Sequence, residues 1–167
     1  NLLYTNNSNA RILEDTGFSS KIIDSLQAGK RTYTSHNSKE NNTVYIGYID
    51  NLKAYDSLWN SQTISYKNKP IYGKSITETL YGIIWIATFK DGVFGLKNNT
   101  VIHHYTINNG LTSNNIGKVK ADKNQLWITS DNSIQLLDVN ASKLQTLTKR
   151  DGVVSYDISG IETLKNR

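Results

Sequence analysis

Apolar and β-branched residues fall along the chain in short runs separated by Asn, Asp, Gly and Ser. Runs of that length and composition predict strands rather than helices. The clearest stretch places strands at 116–121, 126–130, 133–138 and 144–148. Asp122, Lys123 and Asn124, then Ser130, Asp131 and Asn132, supply the tight turns that antiparallel neighbours need. Two stretches interrupt the pattern. Residues 29–42, polar and charged, read as a long loop or hairpin extension; residues 57–74, which hold the only proline, Pro70, read as an outer strand with an irregular return. Helix is expected almost nowhere beyond one short turn at 22–27.

The pattern repeats. Trp85 and Ile86 return as Trp127 and Ile128, Gly110 as Gly152, and Ile116 as Ile158, each pair 42 residues apart. Tyr45, within Val44, Tyr45, Ile46, Gly47 and Tyr48, takes the Trp position of an earlier unit, and Gly17 matches the Gly110 and Gly152 turns. Four strands per unit of this length describe a propeller blade. The expected architecture is all-β, a propeller of four-stranded antiparallel blades. The units fall at 1–22 (a partial blade), 22–75, 76–115, 116–157 and 158–167, the last being the start of a further blade. About four blade equivalents are present.

Composition narrows the chemistry. With 167 residues the chain can bury a real core as one domain or a piece of one. Its apolar runs have strand length, far short of the ~20 residues a spanning helix needs, so this segment is not expected to enter a membrane. Cys is absent, which excludes disulfides, thiolate metal sites and cysteine nucleophiles. Met is absent too and the first residue is Asn1, which reads as an excised or incomplete segment of a longer product. Nineteen Lys and Arg against fourteen Asp and Glu give a net charge of +5. The densest basic group, Lys118, Lys120 and Lys123, alternates with other residues as a solvated strand face does, so nucleic acid is not an expected partner. No Gly-rich loop is followed by Lys and Ser or Thr, and no nucleotide cofactor is expected. His103 and His104 are adjacent, so on a strand they point to opposite faces; with His36 in a polar stretch, no metal site is expected. Asp50 and Asp56, or Asp151 and Asp157, sit at turns, where capping is the commoner use.

The residues Val44 to Asp56, Ile84 to Leu96 with Gly110 to Ile116, and Leu126 to Asp138 with Gly152 to Ile158 resemble the two-component regulator propeller repeat family. Tyr45 for Trp, Thr129 and Ser133 for Gly, and Val153 for Leu depart from its pattern. The resemblance covers most of the chain. It implies a seven-bladed parent and a periplasmic sensor domain, on the outer side of a bacterial inner-membrane protein, ahead of a histidine kinase. It also implies an oligosaccharide ligand, a homodimer and no enzymatic activity in this segment. A polysaccharide-acting propeller enzyme and a protein-interaction scaffold stay open as alternatives.

Within such a fold Trp85 and Trp127 are expected to fill the wedges between blades, although an exposed ring could instead stack on a sugar. Gly110 and Gly152 are expected to take positive φ where one blade crosses to the next. The loops between second and third strands and the blade-to-blade crossovers should emerge on one face. That face would collect Phe89, Lys90, Asp91, Asn114, Asn115, Ser130, Asp131, Tyr156 and Asp157. Of these, Lys90, Asp91, Asn114, Asn115, Asp131, Tyr156 and Asp157 are the candidate ligand-binding residues, with ordinary turn roles as the alternative for each.

Overall fold

The computed structural model describes residues 2–15, 20–27 and 29–164. They form four antiparallel sheets in chain order. The first holds β1 (Leu2–Thr5), β2 (Ala10–Asp15) and β3 (Ser20–Leu26). The second holds β4 (Thr32–Asn37), β5 (Val44–Tyr48), β6 (Leu52–Tyr55), β7 (Ser61–Tyr66) and the two-residue return β8 (Lys69–Pro70). The third holds β9 (Gly73–Glu78), β10 (Ile84–Thr88), β11 (Val93–Lys97) and β12 (Thr100–Tyr105). The fourth holds β13 (Ile116–Asp122), β14 (Gln125–Ser130), β15 (Ile134–Asp138) and β16 (Lys143–Leu147). Each strand pairs with its chain neighbours, and the first strands β4, β9 and β13 lie against one another at a common axis. The fold is a β-propeller segment.

What stacks the sheets is the alternation of the second strands. In β5, Ile46 and Tyr48 pack back onto Ala10, Ile12 and Leu26 of the first sheet, while Tyr45 packs forward onto Ile84 and Ile86 of the third. In β10, Ile84 and Ile86 face back and Trp85 faces forward onto Val119, Leu126 and Ile128. Trp85 is fully buried, its indole N–H donates to the Thr79 hydroxyl at 3.1 Å, and it lies flat beside His103 with centroids 5.4 Å apart. Gly95, opposite Trp85 in the ladder, leaves room for the ring: a Cβ there would meet the indole at 2.9 Å. Gly47 has a parallel task, since a Cβ would run into the Gly73 carbonyl where β5 approaches β9.

The axis-lining edges are covered by side chains. The Ser75 and Thr77 hydroxyls of β9 accept from the Val119 and Ala121 amides of β13, at 3.3 and 3.0 Å. A propeller thereby avoids a row of unpaired N–H groups. The crossovers follow one design, 42 residues apart. The Thr106 hydroxyl accepts from the Asn108 amide and Asn109 accepts the Thr106 N–H; Thr148, Arg150 and Asp151 do the same. Gly110 and Gly152 close these turns at φ 100° and 90°. Buried Gln135 ties the first turn down, donating to the Gly110 carbonyl and accepting from the Thr112 amide, both at 3.0 Å. Gly17 lies outside the described residues.

Four expectations are corrected. The helical turn at 22–27 is strand: β3 pairs with β2 through Leu26, whose burial against the second sheet outweighs its local sequence. The loop at 29–42 contains β4, an innermost strand paired on one side only, which tolerates polar residues toward the axis. The sheets also shift relative to the expected units, with β3 continuing past residue 22 and β9 starting at Gly73. Trp127 is only half-buried, because the forward face of β14 carries no further sheet among the described residues. With Asp122, Ile134, Leu147 and residues 161–164 it lines an open groove of about 380 Å³, and the described residues from 153 onward contain no strand.

Trp85→Ala is expected to cost about 3–5 kcal/mol in urea unfolding, as other aromatic core truncations do, and Trp127→Ala markedly less. Equal losses would contradict this assignment of faces.

Candidate ligand-binding face

Loops and crossovers meet on one face. The Gly92 amide donates to the Asn114 carbonyl at 3.0 Å, and the Ile49 amide to the Arg31 carbonyl at 2.9 Å. Lys30 and Asp50 pair across the same junction at 2.5 Å. The loop after β10 is shaped from within, since the buried Thr88 hydroxyl accepts from the Asp91 amide and donates to the Gly92 carbonyl.

First-strand bulges direct side chains onto this face. The β4, β9 and β13 ladders slip by one residue, leaving Tyr33, Lys74 and Gly117 without direct partners. Tyr33 meets Phe89 edge to face with centroids 5.0 Å apart, Lys74 Nζ stands 5.0 Å from the Phe89 ring, and the Arg31 guanidinium 4.9 Å from Tyr33. Tyr33, Ile49, Tyr72, Phe89, Lys90 and Asp91 line an open groove of about 320 Å³. Phe89 leaves 39% of its surface in solvent. Burial, then the charge of Lys118, push the Lys74 amine below its ordinary value, and Asp131 opposes them.

Of the sequence-derived candidates, Lys90 and Asp91 line the groove, and Asp131 acts electrostatically on Lys74. Asn114 is occupied structurally: its side-chain oxygen accepts from the Ile107 amide at 2.9 Å. Asn115 and Asp157 are exposed, their amides closing turns on Ser113 and Ser155; Tyr156 is half-buried, and none of these three lines the groove. Sequence reasoning missed Tyr33, Tyr72, Arg31 and Lys74. A signal existed for Tyr33, which stands two 42-residue periods before Gly117.

The opposite mouth of the axis is compensated rather than open-handed. His36, which the polar composition of its segment placed in a loop, is on β4 and bonds Glu78 at 3.0 Å. Glu78 also accepts from the Ser38 hydroxyl at 2.9 Å and the Lys39 amide at 3.0 Å. Burial alone would raise its pKa; the Lys39 amide, His36 and Ser38 outweigh burial and hold the carboxyl below its ordinary value. This cluster borders a cavity of about 400 Å³. His103 stacks on Trp85 and His104 on Phe94, so the two rings do serve opposite faces. Among the described residues no group of three His, Cys, Asp or Glu could hold a metal ion, and no helix is long and apolar enough to cross a membrane.

No protein-family model and no curated protein matches the chain. Solved structures do. The extracellular domain of a protein described as a hybrid two-component system of B. thetaiotaomicron superposes on 98% of this chain with a TM-score of 0.76 and 18% identity, over 23% of its own length. Another extracellular domain of that organism, described as part of a one-component system, covers 93% with a TM-score of 0.70 and 16% identity, over 24% of its length. The virginiamycin B lyase of Staphylococcus aureus covers 86% with a TM-score of 0.66 and 11% identity, over 49% of its length. The chain thus spans about a quarter of the first two structures. At these identities the likeness is one of fold.

Because the Glu78 carboxyl is held below its ordinary 4.5, its ionised form stabilises the fold above that pH, and the contribution disappears as pH falls through the lowered value. Glu78→Gln is therefore expected to lower stability at neutral pH and to flatten the acid limb of the stability curve. Acid and urea titrations followed by circular dichroism check this; identical curves for variant and wild type would contradict it.

Proposed function

We propose that this chain is the ligand-binding part of an extracellular or periplasmic sensor in a two-component signalling protein, and that an oligosaccharide or similarly polar ligand occupies the groove beside Phe89. The carrying observation is the half-exposed Phe89 ring, braced edge-on by Tyr33 and flanked by Lys90 and Asp91. Sugars present an apolar C–H face and a hydroxyl rim, and a ring beside charged hydrogen-bonding groups complements both. The fold shared with extracellular domains of B. thetaiotaomicron signalling proteins supports the reading.

Sheets packed as tightly as these deform little, so occupancy would act on how the propeller packs against a partner, in the manner of a population shift. The partner in this reading is a second copy of the parent, and the output is a histidine kinase beyond the membrane.

A polysaccharide-cleaving activity is the second reading, favoured by the His36 and Glu78 pair beside its cavity and by the fold shared with a lyase. Three donors already occupy Glu78 and hold it ionised, which makes it a weak proton acceptor. The groove at Phe89 carries the first reading instead.

A thermal-shift screen of the full chain against oligosaccharides, with mass-spectrometric analysis of the sugars, tests the proposal. A saturable shift without turnover is expected, worth about 2.7 kcal/mol at roughly 100 times the dissociation constant, and Phe89→Ala should abolish it. Turnover, or binding indifferent to Phe89, would overturn it.

A further inference from the structure

We infer that the groove selects acidic sugars, with a carboxylate or sulfate of the ligand seated among Lys74, Lys118 and Arg31 while the sugar ring lies against Phe89. The inference rests on the reading above and adds the chemical class of the ligand.

Lys30 is already paired with Asp50. Lys74 stands over Phe89 with Lys118 and Asp131 acting on its charge, Arg31 stands over Tyr33, and Lys90 and Asp91 line the groove. Lys74 is partly withdrawn from water, and the charge of Lys118 disfavours its own further. Such an arrangement costs stability unless an anion relieves it. The opposite mouth shows the contrast, since His36 faces Glu78 and Lys120 faces Glu162 at 2.7 Å.

Two of the cations also rest over rings, Lys74 over Phe89 and Arg31 over Tyr33. A ring face is a weaker counter-charge than a carboxylate or sulfate, so an arriving oxyanion can draw these side chains off the rings and expose the surface on which a sugar stacks. The cations and the platform are thus freed by one ligand bearing both features. The bulge in the β9 ladder, which leaves Lys74 without a direct partner, places it beside Phe89.

The test is isothermal titration of the full chain with oligogalacturonate, a sulfated heparin-derived oligosaccharide and a neutral cello-oligosaccharide, at low and high salt. Wild type, Lys74→Gln, Lys74→Arg and Phe89→Ala are compared, after circular dichroism has established that each folds. At least one acidic sugar is expected to bind about tenfold tighter than the neutral one and to weaken with salt. Lys74→Gln should erase that preference and Lys74→Arg keep it; carboxylate against sulfate preference then identifies the oxyanion. Equal binding of neutral and acidic sugars, with both lost in Phe89→Ala, would overturn this inference and leave the sensor reading standing. No binding of any sugar would overturn both.

Discussion

The structure depends on one constraint: the second strand of each sheet must satisfy two neighbours at once. Ile84 and Ile86 belong to the core shared with the preceding sheet, and Trp85, between them in sequence, to the core shared with the following one. A strand buried on both faces cannot slip by one residue without exchanging the two cores. That fixes the spacing of the sheets, brings the first strands together at the axis, and leaves the loops with only two faces on which to emerge. Gly95 and Gly47 belong to the same constraint, since added side chains would collide with Trp85 and with the Gly73 backbone.

The 42-residue period was legible because it is written in residues that the constraint selects: Trp85 and Trp127, Gly110 and Gly152, Ile116 and Ile158. The first strands were less legible. β4 alternates polar residues along an edge that faces the axis, so its composition resembles a loop, and ladder pairing rather than propensity makes it a strand. β3 was mistaken for the same reason in reverse, its local preference yielding to pairing with β2. Trp127 shows a further limit: the sequence position is that of Trp85, yet burial depends on a neighbouring sheet that the described residues do not supply.

The candidate site was read in part. Lys90 and Asp91 follow from counting strands, because the turn after β10 must fall on the crossover face. Tyr33 and Lys74 do not, because bulges displace both from strict alternation, and Lys74 also falls one residue off the exact period. Asn114 illustrates the converse, a polar residue on the right face whose carbonyl and side chain are spent on holding loops together. The same period also orders the axis electrostatically. His36 and Glu78, then Lys120 and Glu162, are partners one repeat apart. One end of the axis therefore carries these two pairs, while the loop face sets Lys74 and Arg31 over aromatic rings.

A ligand held on the loop face beside Phe89, as proposed, would shield the backbone around it. Amide hydrogen exchange of the full chain, with and without saturating oligogalacturonate, addresses this most directly, because exchange reports protection segment by segment. Ligand-dependent slowing is expected at 31–34, 49–51 and 88–92, with residues 36–40 and 78–82 unchanged. Protection confined to 36–40 and 78–82 would place the ligand beside His36 and Glu78 and contradict the proposal.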